Sequence, residues 1–267
     1  MARLSRELKP NFCYHITIRC NNREFRLTRF ECREVLLYAI KRCQEKYEFQ
    51  VNALCIMSNH VHYLITPKQP EDLPKIMHWL NWYTAMCFNR MLNRTGHFWE
   101  KRYHSTGFPL TDQRRALNTL RYIHANPKVA GMQQGFFYDF SNYGSYDRLT
   151  NDGLTTWHPA FLALGTTLDL CAAVYRKFCE QYKPKPKPEI KNHWGSKLLE
   201  KLIGRKRKPD KKAQSPGQLK LWDEWEAPSE IHEIAAQFIR ANCFDPKYFD
   251  LHLDPRIGTF EKPDGAR

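Results

Sequence analysis

Apolar and polar residues alternate in short stretches of the N-terminal half and recur every three or four residues between them. Over residues 11–20, Tyr14, Ile16 and Ile18 share one side and His15, Thr17 and Arg19 the other, which predicts a strand. Val35, Leu36, Ala39, Ile40 and Cys43 form the stripe of a helix over 28–47. Residues 48–57 and 60–66 predict two strands close enough to make a hairpin. After a break at 67–70, Leu73, Ile76, Met77, Leu80, Tyr83 and Cys87 predict a helix reaching residue 93. The candidate fourth strand is 96–104. Thr111 or Asp112 caps a helix that ends at Pro127, with Ala116, Leu120 and Ile123 inward and Arg115, Thr119, Tyr122 and Asn126 on another face. Residues 136–149 read as irregular. Leu168 to Tyr182 is a further helix, and Ile231, Ile234, Ala235, Phe238 and Ile239 mark a last one, capped by Ser229.

Strand, helix, strand, strand, helix, strand is the order of a ferredoxin-like split βαβ fold: α+β, an antiparallel sheet with two helices on one face. The alternating Lys-Pro run at 183–188 must be extended and ends the globular part. Three segments are expected: a body over 1–182, a basic Pro/Lys-rich linker over 183–220, and an acidic, partly helical segment over 221–267. The linker contains a short amphipathic piece at 196–203 and the run Arg205-Lys206-Arg207-Lys208.

Charge sharpens this division. The chain of 267 residues carries a formal +14, made of +9 in the body, +10 in the linker and −5 in the last segment. A basic body followed by a very basic segment suits a polyanion, most simply nucleic acid, with the linker adding affinity without sequence preference. Nine scattered cysteines without a Cys-x-x-Cys suggest reduced, buried thiols rather than a disulfide framework. No apolar run is long enough for a membrane span and no signal core opens the chain, so a cytoplasmic protein is expected.

The stretch Ser58-Asn59-His60-Val61-His62 carries the candidate chemistry. Residues two apart on a strand project from one face, so His60 and His62 stand side by side as a divalent-metal pair. The plainer alternative is the exposed face of a half-buried strand. Tyr122 lies off its helix's apolar stripe and one turn from Asn126. In 94–104, Arg94, Lys101 and Arg102 interleave with Phe98, Trp99 and Tyr103, a mix that grips nucleic acid by phosphate contact and stacking or serves an aromatic edge strand. Tyr83 is in phase with a core stripe. His15 reads as a surface histidine, and His124 as one favoured by the nearby helix end.

Together, Met57-Ser58-Asn59-His60-Val61-His62, Arg121-Tyr122-Ile123-His124-Ala125-Asn126-Pro127, Arg94-Thr95-Gly96-His97-Phe98-Trp99 and Tyr14-His15-Ile16-Thr17 resemble the REP-associated tyrosine transposases, single-tyrosine HUH endonucleases related to insertion-sequence transposases. The resemblance covers roughly 1–182. It implies His60, His62 and Asn126 as ligands of Mg²⁺ or Mn²⁺ and Tyr122 as the nucleophile. It also implies cleavage and strand transfer of single-stranded DNA beside a hairpin, through a 5′-phosphotyrosine. Arg94, Lys101, Arg102, Arg115, Phe98 and Trp99 are the candidate DNA contacts. A monomer and a homodimer both fit, and no membrane partner is expected. A histidine-triad hydrolase would need a third histidine where Leu64 stands. A non-catalytic DNA-binding protein on the same scaffold would keep the basic surface without needing the metal or Tyr122.

Overall fold

The computed structural model describes residues 7–184 and 229–243, with the backbone of two short paired strands, His252–Leu253 and Phe260–Glu261. Most of the basic linker, including 196–203 and Arg205 to Lys208, lies outside the described residues.

Strands β1 (Phe12–Arg19), β2 (Phe49–Ile56), β3 (His60–Pro67) and β4 (His104–Pro109) form one sheet in the order β2-β3-β1-β4, every neighbouring pair antiparallel. Helices α1 (Phe30–Lys46) and α2 (Asp72–Met91) pack together. This is the split βαβ arrangement read from the sequence. Tyr63, buried on β3, approaches Cys43 of α1, so this sheet face is the helix-covered one. Gly107 matters there: a Cβ would stand 2.7 Å from the ring of Tyr14, its cross-strand partner.

The opposite face is covered as well, by α3 (Gln113–Val129), whose Ala116, Leu120 and Ile123 are buried against β2 and β3. The Asp112 side chain caps it, accepting from the Arg115 N–H. The helix runs one short step past Pro127 instead of ending there. Pro127 has no N–H for the Ile123 carbonyl, and the Asn126 amide leans toward that oxygen at 3.4 Å while donating to the Tyr122 carbonyl at 2.8 Å.

Two further sequence expectations change. The fourth strand is 104–109, not 96–104. Residues 96–103 form a loop that joins the sheet at the bridge of Trp99 with Cys20, turned by Gly96 at φ +85° and braced by Arg94, which donates to Asn89 Oδ1 at 2.9 Å. The stretch read as irregular contains α4 (Tyr143–Arg148), and a short helix α5 (Pro159–Leu162) precedes α6 (Leu168–Glu180).

His124 is not a helix-end imidazolium. It is fully buried, and burial pushes it down to about 4. Its Nε2–H donates to Asn142 Oδ1 at 3.0 Å and Nδ1 accepts from the Tyr175 hydroxyl at 2.8 Å, a neutral bridge between α3, α6 and the segment leading into α4. The last helix, α7 (Ser229–Asn242), packs on α1 and α4. A Cβ on Gly144 would meet the Asn242 backbone at 2.5 Å, so only glycine lets the two approach. All nine cysteines are free, and all but Cys87 are buried.

Candidate active site

Register assembles the site. Cross-strand partners share a face, and Thr17 pairs with His62, Arg19 with His60, and Thr17 also with His104. His15, Thr17 and Arg19 therefore face the same way as the two histidines, beneath the edge of α3. The His60 and His62 ring centroids are 4.9 Å apart. The Tyr122 ring stands edge-on to both His62 and His15, 5.7 Å from each. The structure thus brings His60, His62 and Tyr122 together. Asn126 is one turn beyond Tyr122, its amide nitrogen folded back on the helix.

Each histidine is held by its Nδ1. His60 Nδ1 is 2.7 Å from Asn59 Oδ1, an oxygen that only accepts, so Nδ1 carries the proton and Nε2 keeps its lone pair. Asn59 is itself oriented by donating to the Arg23 carbonyl at 3.0 Å. His62 Nδ1 lies 3.0 Å from His15 Nε2 and 3.2 Å from Thr17 Oγ1, which leaves Nε2 as its outward nitrogen. Burial, helped by Arg19, pushes His60 down to about 4; burial, helped by His104, does the same to His15. Burial foremost, then His15, His60 and Arg19, holds His62 well below its usual 6.5. Neutral imidazoles with a free Nε2 are the form that binds a cation, and partners fixing the other ring nitrogen are how such ligands are oriented.

The Tyr122 side chain is 43% exposed, and its hydroxyl makes no hydrogen bond among the described residues. It opens, with His15, onto a cavity of about 590 Å³ lined by Arg114, Arg115 and Asn118. The Arg115 guanidinium rests over the Phe108 ring at 5.0 Å. Arg19 has no salt-bridge partner among the described residues, and its buried Nε has no hydrogen-bond acceptor there.

The expected stacking surface is corrected. Phe98 and Trp99 are buried, 1% and 7% exposed, packed with Phe88, and Trp99 Nε1–H donates to Thr84 Oγ1 at 3.0 Å. Neither ring is available to a base. Arg94 is occupied in its own loop, while Lys101 and Arg102 are exposed. His15, read as a surface histidine, belongs to the site instead. Thr17 and Arg19, like Asn59 and Arg114, have no role of their own in the sequence reading, although Thr17 and Asn59 stand within its motifs. The alternation of β1 was the available signal for the first two and His15, but only the register attaches them to His62.

The sheet thus carries two neutral histidines beneath a helix that presents Tyr122. Residues 9–126 match the family model described as "Transposase IS200 like". Among solved structures the chain is similar to a REP-associated tyrosine transposase bound to a REP hairpin, at 18% identity and a TM-score of 0.48, covering 56% of this chain and 86% of that one. It is also similar to a putative transposase from Deinococcus radiodurans R1, at 18% identity and a TM-score of 0.31, covering 46% and 95%. No curated protein matches the sequence. No helix among the described residues is long and apolar enough to cross a membrane.

Proposed function

We propose that the protein is a REP-associated, single-tyrosine HUH nuclease and strand transferase acting on single-stranded DNA beside a hairpin or repeat. The observation that carries this reading is the Tyr122 phenol, exposed and without a hydrogen-bond partner among the described residues, edge-on to the neutral His62 ring.

Tyr122 Oη attacks the phosphorus and gives up its proton. The bond from phosphorus to the 3′ oxygen breaks, and that oxygen leaves as a hydroxyl after taking up a proton. The 5′ phosphate stays on Tyr122. A second 3′-hydroxyl reverses the exchange, so strands are cut and rejoined without water or ATP. The Nε2 atoms of His60 and His62 with Asn126 Oδ1 are suited to hold Mg²⁺ or Mn²⁺. Imidazole and amide-oxygen donors together suit such an ion. When bound, the ion supplies charge neutralisation at the phosphate and favours the phenolate. Arg114 and Arg115 offer contacts to the strand entering the cavity beside Tyr122.

The test uses repeat-bearing single strands with Mg²⁺ or Mn²⁺. A 5′-labelled strand is expected to release a fragment ending in a 3′-hydroxyl, and a 3′-labelled strand to become attached to protein. A wild type that binds such strands and cuts none would instead make it a binding module.

A further inference from the structure

Loop 96–103 and helix α2 enclose a second groove, of about 550 Å³, on the sheet edge beyond Arg19. Its floor is the buried Phe98–Trp99 pair. Its rim carries Trp82, 55% exposed although it is the largest kind of side chain, and the cations Lys101 and Arg102. Among the described residues no carboxylate lines it. An apolar ring left in water beside two cations costs solvation and gains nothing within the fold. An anion carrying flat rings would satisfy both features at once.

The groove is connected to the candidate active site through the backbone. The Glu100 N–H donates to the Arg19 carbonyl at 2.7 Å, and Arg19 is the cross-strand partner of His60. Two strand spacings, roughly 10 Å, therefore separate the His60 backbone from the wall of the groove.

We infer that this groove is a base-binding subsite for single-stranded DNA, in which an unpaired base stacks on Trp82 while Lys101 and Arg102 contact the flanking phosphates. The inference rests on the reading of the chain as a single-strand nuclease and names where the strand runs beyond the cut. Stacking on an aromatic ring tolerates any base, so the subsite fixes the path of the strand more than its sequence. It also reassigns the stacking role from Phe98 and Trp99, which are buried, to a residue one layer further out.

The experiment measures binding of the full chain to single-stranded oligonucleotides without divalent ion, scanning an abasic position along the strand, with cleavage by wild type run in parallel. Trp82→Ala is expected to weaken binding by about tenfold to a hundredfold, and Trp82→Phe by much less. In wild type one or two abasic positions near the cut should reproduce that loss. In Trp82→Ala the same abasic positions should cost nothing further. Replacing Lys101 and Arg102 together by Gln should flatten the salt dependence of binding. A wild type that cuts DNA, with a flat abasic scan and a Trp82→Ala variant binding as well as wild type, overturns the subsite and leaves the nuclease reading standing. A Trp82→Ala variant that changes only the oligomeric state would make the groove a contact between copies and also overturn it. Failure of wild type to bind or cut any single strand would defeat the nuclease reading itself.

Discussion

Asn59 decides which nitrogen His60 presents. Its Oδ1 sits 2.7 Å from His60 Nδ1 and can only accept, so the imidazole's lone pair is on Nε2, the nitrogen a metal takes. Asn59→Ala frees both tautomers. It should weaken Mn²⁺ binding by about tenfold to a hundredfold with the fold unchanged, as read by calorimetric titration. Asn59→Asp, which still accepts, should retain most of the affinity. Equal Mn²⁺ affinity in Asn59→Ala would remove Asn59 from the site.

What the sequence revealed and concealed follows from the range of the interactions involved. Strand phase is local: the alternation about Ile16 and Val61 suffices to put His60 and His62 on one face. The place of His15 depends on the pairing of Thr17 with His62, a relation between residues 45 apart that periodicity does not record. The fourth strand was hidden because His-Ser-Thr-Gly-Phe-Pro buries only Phe108, whereas the aromatics just before it carry the stronger strand propensity and spend it on packing with Phe88. The burial of His124 was equally long-range, set by Tyr175 and Asn142.

Arg19 has no salt-bridge partner among the described residues and stands beside the proposed metal ligands, an arrangement of two cations that becomes favourable once a phosphodiester lies between them. Arg19→Ala should lower cleavage by about a hundredfold to a thousandfold without weakening Mn²⁺ binding. On a strand whose scissile phosphate is replaced by an uncharged methylphosphonate, the gap between wild type and variant should narrow sharply. An undiminished gap would place Arg19 away from the phosphate.

Acid should destabilise the protein. His15, His60, His124 and His158 are each pushed to about 4, chiefly by burial, from a usual 6.5. Between those values the unfolded chain binds protons that the native one refuses, so this stability is full above pH 6.5 and is lost as pH falls toward 4. Glu34 runs the other way. Burial foremost, then Glu31, raises it from 4.5 to about 8, so its contribution is lost as pH rises through that window. Its contact with His232 of α7, at 3.1 Å, is then a neutral hydrogen bond. Thermal scans should show a steep fall in Tm below pH 6.5 and a shallow one from 6.5 to 8 that Glu34→Gln removes. A flat Tm between pH 4 and 6.5 would contradict the assignment of neutral histidines.

The buried bridge of His124 should matter for stability where Tyr122 does not. His124→Ala removes the acceptor of the Tyr175 hydroxyl and one partner of Asn142 and leaves a cavity, at a cost of about 2–5 kcal/mol in urea unfolding. A loss below about 0.5 kcal/mol, the level typical of surface changes, would mean the bridge is not formed in solution.

The central claim is that the oxygen of Tyr122 does the cutting. Tyr122→Phe removes that atom alone: the hydroxyl has no partner among the described residues, and the ring can keep its edge contacts with His15 and His62. The decisive measurement is the yield of covalent protein–DNA adduct from a 3′-labelled single strand, wild type against Tyr122→Phe, with Mn²⁺ present. The adduct should fall by about three to six powers of ten while Tm and DNA affinity stay at wild-type values. Adduct formation by Tyr122→Phe at the wild-type level would contradict the account and place the nucleophile on another residue.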